Sequence, residues 1–168
     1  MITTRDATPA DAAALATLGA SSFTETFGHL YAPADLALFL ENHTTASWGA
    51  ELADPAFAVR VAESDGALIA YAKLGPPQLP FTPAIGAIEL RQFYVLAPWH
   101  GAGIATQLME WVTATARERG ADELFLSVFT DNHRARRFYE RHGFEPVGTY
   151  AFMVGTHADE DIVMKLAL

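Results

Sequence analysis

The chain of 168 residues has no cysteine. That excludes a disulfide framework, a thiolate zinc site and a cysteine nucleophile, though it does not separate a secreted protein from a cytosolic one. Positive charge is also scarce, with 11 Lys and Arg against 20 Asp and Glu and a formal net charge of -9. Phosphate-backbone binding rests on clustered Lys and Arg, so nucleic acid is not an expected partner. The acidic field is the ordinary solubility charge of many cytosolic proteins, and it equally attracts a cationic small molecule or a basic peptide. No apolar run approaches the roughly 18 residues of a membrane span, and Met1 to Asp6 carries no apolar core of signal length. The expected compartment is the cytoplasm, with no membrane attachment. Apolar matter is plentiful, at 51% of residues against 18% charged. That is too much for a disordered chain, and the length suits one domain at roughly 100–200 residues each.

Thr8-Pro9-Ala10-Asp11 places a hydroxyl cap, a proline at the first helical position and a carboxylate three residues after the cap. A helix is predicted there, ending at Gly19. A second should follow Pro33, with Leu36, Phe39 and Leu40 on one face, and a third should run near Ser47 to Leu52. The first third thus reads as mostly helical. The period then changes to two: Phe57 to Ala62 alternates, Ser64-Asp65-Gly66 is a turn, and Ala67 to Leu74 returns as a hairpin strand. Pro76, Pro77, Pro80 and Pro83 make a stiff connection without ladder donors, read as an exposed loop bordering a site. Beyond it lie a strand over Ala87 to Val95, a helix over Gly103 to Arg119 and a strand over Leu124 to Phe129, a β-α-β unit. The helix should turn Ile104, Leu108, Trp111, Val112 and Thr115 inward. A short helix over His133 to His142, closed by Gly143, precedes strands near Phe144 to Phe152 and Ile162 to Leu166.

The sharpest local feature is the turn Val95-Leu96-Ala97-Pro98-Trp99-His100-Gly101-Ala102-Gly103-Ile104-Ala105-Thr106. Its small residues let a ligand approach the backbone, and the helix N-terminus offers unpaired N–H groups to an anion such as a pyrophosphate. Close helix packing is an equally simple reason for Gly-x-Gly. A dinucleotide-binding fold is disfavoured, because the turn does not follow the first strand, Thr106 stands at the third glycine position and no acidic ribose ligand ends the next strand.

A second segment, Asn132-His133-Arg134-Ala135-Arg136-Arg137-Phe138-Tyr139-Glu140-Arg141-His142-Gly143-Phe144, completes a pair of motifs. Together they resemble the two signatures of the GNAT family of N-acetyltransferases, across about residues 57 to 166 in element order. Phe23-Thr24-Glu25-Thr26-Phe27-Gly28-His29-Leu30-Tyr31, with Phe152-Met153-Val154-Gly155 and Asp161-Ile162-Val163-Met164-Lys165-Leu166, looks like a bacterial branch that includes polyamine acetyltransferases. The resemblance implies an α/β (α+β) fold, a mixed, strongly twisted sheet flanked by helices, with acetyl-CoA between splayed parallel strands.

Carried onto this sequence, the family's Gln/Arg-x-x-Gly-x-Gly/Ala falls on His100, Gly103 and Ala105, and the turn through Gly101, Ala102, Ile104 and Thr106 would hold the CoA pyrophosphate. His100 departs from the pattern. An imidazole is charged only on the acid side of neutrality, so its grip on a phosphate is expected to weaken as pH rises. The resemblance assigns the pantetheine arm and the thioester oxygen to the backbone of Phe93, Tyr94 and Val95, where an amide would stabilise the oxyanion. It assigns a pantetheine contact to Asn132 and proton donation to the departing thiolate to Tyr139; packing beside Phe138 is the alternative for Tyr139. The arginines at 134, 136, 137 and 141 form either a solvated face or a partial phosphate cradle, the face being favoured for most.

A protonated amine must lose a proton before attack. Glu89, six residues before Val95 as in the histone-acetylating branch, is the candidate base, with an ion pair to Arg91 as the alternative. Period two places residues 89, 91, 93 and 95 on one face unless a bulge, common in the family, shifts the phase. For the acceptor, Phe27, His29, Tyr31, Trp48 and Asp159-Glu160-Asp161 are candidates to grip a cation. No His and carboxylate spacing suggests a metal. The expected function is direct acetyl transfer to a primary amine in a ternary complex, a small cationic amine or polyamine leading, a peptide N-terminus or lysine following. A noncatalytic acyl-CoA sensor is the alternative from another class. Apolar faces on the N-terminal helices leave a homodimer open.

Overall fold

Seven strands hydrogen-bond in the order β1-β2-β3-β4-β5-β7-β6 in the computed structural model, which describes residues 1–79 and 86–168. The strands are β1 (Ile2–Asp6), β2 (Ala58–Ser64), β3 (Ala67–Gly75), β4 (Ala87–Val95), β5 (Glu123–Phe129), β6 (Glu145–Val154) and β7 (His157–Ala167). The helices are α1 (Ala12–Phe27), α2 (Pro33–Leu40), α3 (Thr45–Ala53), α4 (Ile104–Glu118) and α5 (His133–Arg141). Only β4 and β5 run parallel among the described strand pairs, which makes the sheet mixed.

Two cores cover its faces. Ile104, Leu108, Met109, Val112 and Ala116 of α4 pack with Ile88, Leu90, Leu124 and Leu126, and Tyr139 and Phe144 close this core beside α5. The opposite face meets Leu15 and Leu18 of α1 and Trp48 of α3 against Val59, Val61 and Tyr71. Trp111 and Thr115, expected on the inner face of α4, are half-buried.

Three departures from the sequence reading have physical causes. The edge strand β1 was not expected, because Ile2-Thr3-Thr4-Arg5-Asp6 carries one aliphatic side chain; its ladder with Arg60 to Ser64 creates it. Helix α1 passes through Gly19 and ends at Phe27. A Cβ at Gly19 would overlap the buried His43 ring, so this glycine serves close approach and not termination. The last two strands are longer than their apolar runs. Pro80 and Pro83 of the proline-rich connection lie outside the described residues.

The predicted cap at Thr8-Asp11 forms with a cross-link added. Asp11 accepts the Thr8 amide at 2.7 Å and both Arg5 guanidinium nitrogens at 2.9 Å, and Arg5 holds its carboxyl down at about 2. Asp11→Asn should cost about 1 kcal/mol at neutral pH, a modest figure because Arg5 is partly exposed. The folded carboxyl titrates below its unfolded value, so this contribution is present above the ordinary carboxylate range and fades as pH falls toward 2. Urea melts of both proteins across that range should converge at the acid end.

Candidate active site

Parallel pairing between β4 and β5 is confined to Ala87–Glu89 against Glu123–Phe125. Beyond Glu89 the strands part, and the edge of β4 that faces β5 has no described strand partner. A bulge between Lys73 and Leu74 in the β3–β4 ladder leaves Arg91 unmatched and shifts the side-chain phase. Ile88 and Leu90 face the α4 core, as do Phe93 and Val95, whereas Tyr94 packs on the α1 side. Residues 89, 91, 93 and 95 therefore do not share a face, and Glu89 looks away from Phe93. It sits instead with Ala87, near Leu79, Phe125 and Val163.

The parting opens a cleft of about 1080 Å³. Every residue expected to hold acetyl-CoA or to move a proton lines it except Ala102, whose N–H is engaged by Trp99 O at 3.4 Å. At the start of α4, Gly101 and Gly103 both take φ +82, and a Cβ on either would meet nothing within 4 Å. The left-handed turn thus presents bare backbone to open space. No side chain caps α4, and no described acceptor takes the N–H groups of Gly103, Ile104, Ala105 or Thr106. Uncapped amides at the positive end of a 15-residue helix fit a pyrophosphate.

His100 bridges the end of β4 and the start of α5. Its Nε2–H donates to Val95 O at 2.7 Å, and its Nδ1 accepts from the Arg134 guanidinium. Both ring nitrogens are engaged. The ring lines the cleft and holds Arg134 beside the turn. The permanent cation is Arg134, which the sequence left between surface and cradle.

Asn132 Oδ1 accepts the Ala135 amide at 3.3 Å, capping α5, so its role in local structure is met whether or not its amide nitrogen serves a ligand. Tyr139 on α5 is buried among Phe93, Phe138 and Phe144. Its hydroxyl has no described hydrogen-bond partner, and burial pushes the phenol pKa well up from its ordinary value. The phenol stays protonated at neutral pH, as a proton donor must.

Glu89 is buried at 7% exposure, with Oε1 accepting the Gln78 amide at 2.8 Å and Oε2 3.4 Å from Arg91 Nε. Burial raises its carboxyl above the usual range, while the Gln78 amide and Arg91 oppose the rise. The proposed base and its ion-pair alternative are thus the same carboxylate. Another wall of the cleft is aromatic and acidic. Phe23, Phe27, Tyr31 and Phe39 surround it with Phe129 and Phe152. Asp159 and Asp161 enter from β7, while Glu160 points outward and is exposed. The alternation could have been read from period two in Asp159-Glu160-Asp161. Trp48 and His29 do not line the cleft. Trp48 is core, beneath the Lys73 ammonium at 4.5 Å, and Lys73 is buried against Glu51 at 2.8 Å. Sequence reasoning missed this pair, since its residues lie on α3 and β3 without a shared motif. Among the described residues no cluster could hold a metal ion, and no helix is long and apolar enough to cross a membrane.

Residues 18–144 match the profile of the Acetyltransferase (GNAT) family. An uncharacterised N-acetyltransferase of Mycobacterium tuberculosis is 36% identical over 157 residues, 92% of this chain and 96% of that protein. The aminoalkylphosphonate N-acetyltransferase of Salmonella typhimurium is 32% identical over 98 residues, 58% of this chain and 63% of its own. In fold the chain is similar to the PaiA N-acetyltransferase of Thermoplasma acidophilum solved with coenzyme A, with a TM-score of 0.79, 17% identity and coverage of 100% and 99% of the two chains. The parted parallel strands, the uncapped helix over a glycine turn and these relationships lead to one conclusion: the chain belongs to the GNAT family of N-acetyltransferases.

Proposed function

We propose that the protein transfers an acetyl group from acetyl-CoA directly to the primary amine of a small cationic acceptor, polyamines among them, with both substrates bound together. The observation that carries the acceptor class is the aromatic and acidic wall, where ring faces and buried carboxylates suit an ammonium and repel an anion. The amine acceptor of the Salmonella typhimurium relative supports a small molecule. Acetyl-CoA supplies an activated acetyl thioester. The Gly101–Thr106 turn and Arg134 receive its phosphates, Asn132 and the free edge of β4 receive the pantetheine arm, and an amide of Phe93, Tyr94 or Val95 points at the thioester oxygen. Tyr139 gives its proton to the departing sulfur. Two buried carboxylates on the cleft wall, Glu89 and Asp161, are placed to take the proton the amine must lose.

The test is release of free thiol from acetyl-CoA with spermidine, spermine, small amino compounds and N-terminal peptides, against a blank without acceptor. With no cysteine in the chain, a thiol-reactive dye reports product alone. Saturable release with the small amines is expected. Release only with peptides would move the acceptor to protein N-termini, and none with any acceptor while acetyl-CoA still binds would favour a sensor.

A further inference from the structure

We propose that Asp161, on β7 opposite the last residue of β5, is the carboxylate that docks the acceptor ammonium and takes its proton. This rests on the amine-acceptor reading above and names the residue behind it. Asp161 pairs with Phe129 across the β5–β7 ladder, four residues beyond the Phe125 position that faces Glu89. At about 3.3 Å per residue that is about 13 Å further along β5, past the point where β4 leaves it. The side chain is 5% exposed, lines the cleft, and its Oδ1 has no hydrogen-bond partner.

A buried carboxylate oxygen left without a donor is costly unless a ligand supplies one. Apart from the exposed Glu41, the other carboxylates of the cleft wall are engaged. Asp159 accepts the Tyr31 hydroxyl and faces His157 Nε2 at 3.0 Å; Glu89 holds Gln78 and Arg91; and Glu51 faces the Lys73 ammonium. The Asp161 carboxylate interacts electrostatically with Tyr94, and Tyr94 with Tyr139.

The groups that interact with Asp161 electrostatically are Asp159 on β7, Tyr94 on β4 and Tyr31 ahead of α2; Tyr150 of β6 pairs with it in the ladder. None is a cation. Burial, and then Asp159, push its carboxyl up to about 7, with the Ser127 hydroxyl opposing. Asp161 is therefore half-ionised near neutrality, poised both to attract an ammonium and to accept its proton. The protons balance. The ammonium gives one to Asp161, which returns it to solvent. The nitrogen's lone pair then bonds to the acetyl carbon, the carbon–sulfur bond breaks, sulfur takes the Tyr139 proton, and the second proton lost from nitrogen restores the phenol.

Turnover of spermidine with acetyl-CoA is measured against pH for the unmutated protein, Asp161→Asn and Glu89→Gln. In parallel, the carboxyl carbon-13 resonance that Asp161→Asn removes is titrated in the unmutated protein with CoA, with and without spermidine. Asp161→Asn should lose about 100-fold in kcat/KM and the acid limb of its profile, with acetyl-CoA affinity unchanged. Glu89→Gln should keep that limb. Spermidine should lower the titration midpoint of the Asp161 resonance. An Asp161→Asn profile within about threefold of the unmutated one with its acid limb intact, or a resonance indifferent to spermidine, overturns the proposal. Absence of turnover in the unmutated protein defeats the spermidine reading instead, while the resonance still judges Asp161. The fold is controlled by melting: a folded carboxyl raised above its unfolded value loses stability as pH climbs from the carboxylate range toward 7. Asp161→Asn should therefore melt above the unmutated protein on the alkaline side.

Discussion

Tyr139→Phe should lower kcat by about 100-fold, at the lower end of what a positioned acid contributes, and leave the affinity for acetyl-CoA nearly unchanged. The substitution removes one oxygen and keeps the ring that packs against Phe93, Phe138 and Phe144. The lost hydroxyl has no described partner, so no donor or acceptor is orphaned by its removal, and the melting temperature should not fall. Binding measured by calorimetry and turnover measured by thiol release then separate two possibilities. A fall in turnover alone identifies a proton donor. Equal turnover removes Tyr139 from that role and returns it to the packing reading, and a parallel loss of affinity would make it a binding group.

Gly103→Ala should weaken acetyl-CoA binding by about tenfold or more, since hydrogen bonds to a charged group are worth about 1.5–3 kcal/mol each. The cause is backbone geometry. Gly103 has φ +82 and ψ 1 as the residue that opens α4, and an L side chain in that region costs about 1–2 kcal/mol. Relief of that strain rotates the amides that face the cleft. Stability alone cannot discriminate, because any alanine at such a φ is strained. Gly66 supplies the control: it has φ +81 in the β2–β3 turn, and a Cβ there also meets nothing within 4 Å. Gly66→Ala should lose comparable stability and bind acetyl-CoA normally. Equal affinities for the two variants would show that the turn holds no phosphate.

The β2–β3 hairpin and the β-α-β unit were legible because their signals are local. Alternation over Val59 and Val61, the Asp65-Gly66 turn and the apolar stripe Ile104, Leu108 and Val112 each specify an element without help from elsewhere. The acceptor wall was only partly legible. Phe27, Tyr31 and the acidic run were named, yet so were Trp48, which the core claims, and Glu160, which faces solvent. Aromatic rings carry no mark of whether they meet a ligand or one another, and tertiary packing makes that choice.

By itself the sequence determined the order of elements from the hairpin onward, the family signatures at His100–Thr106 and Asn132–Phe144, and the absence of a cysteine nucleophile. These follow from local propensity, spacing and composition. Tertiary structure alone decided three things. The Arg91 bulge turned Glu89 away from Phe93, because one extra residue in a ladder inverts every side chain after it. The bond from Arg134 to His100 brought a permanent cation to the glycine turn, through contact across 34 residues. And Asp161 was set apart from Asp159 by which oxygen each neighbour reached, since the free energy of a buried carboxylate depends on its partners and not on its place in the chain.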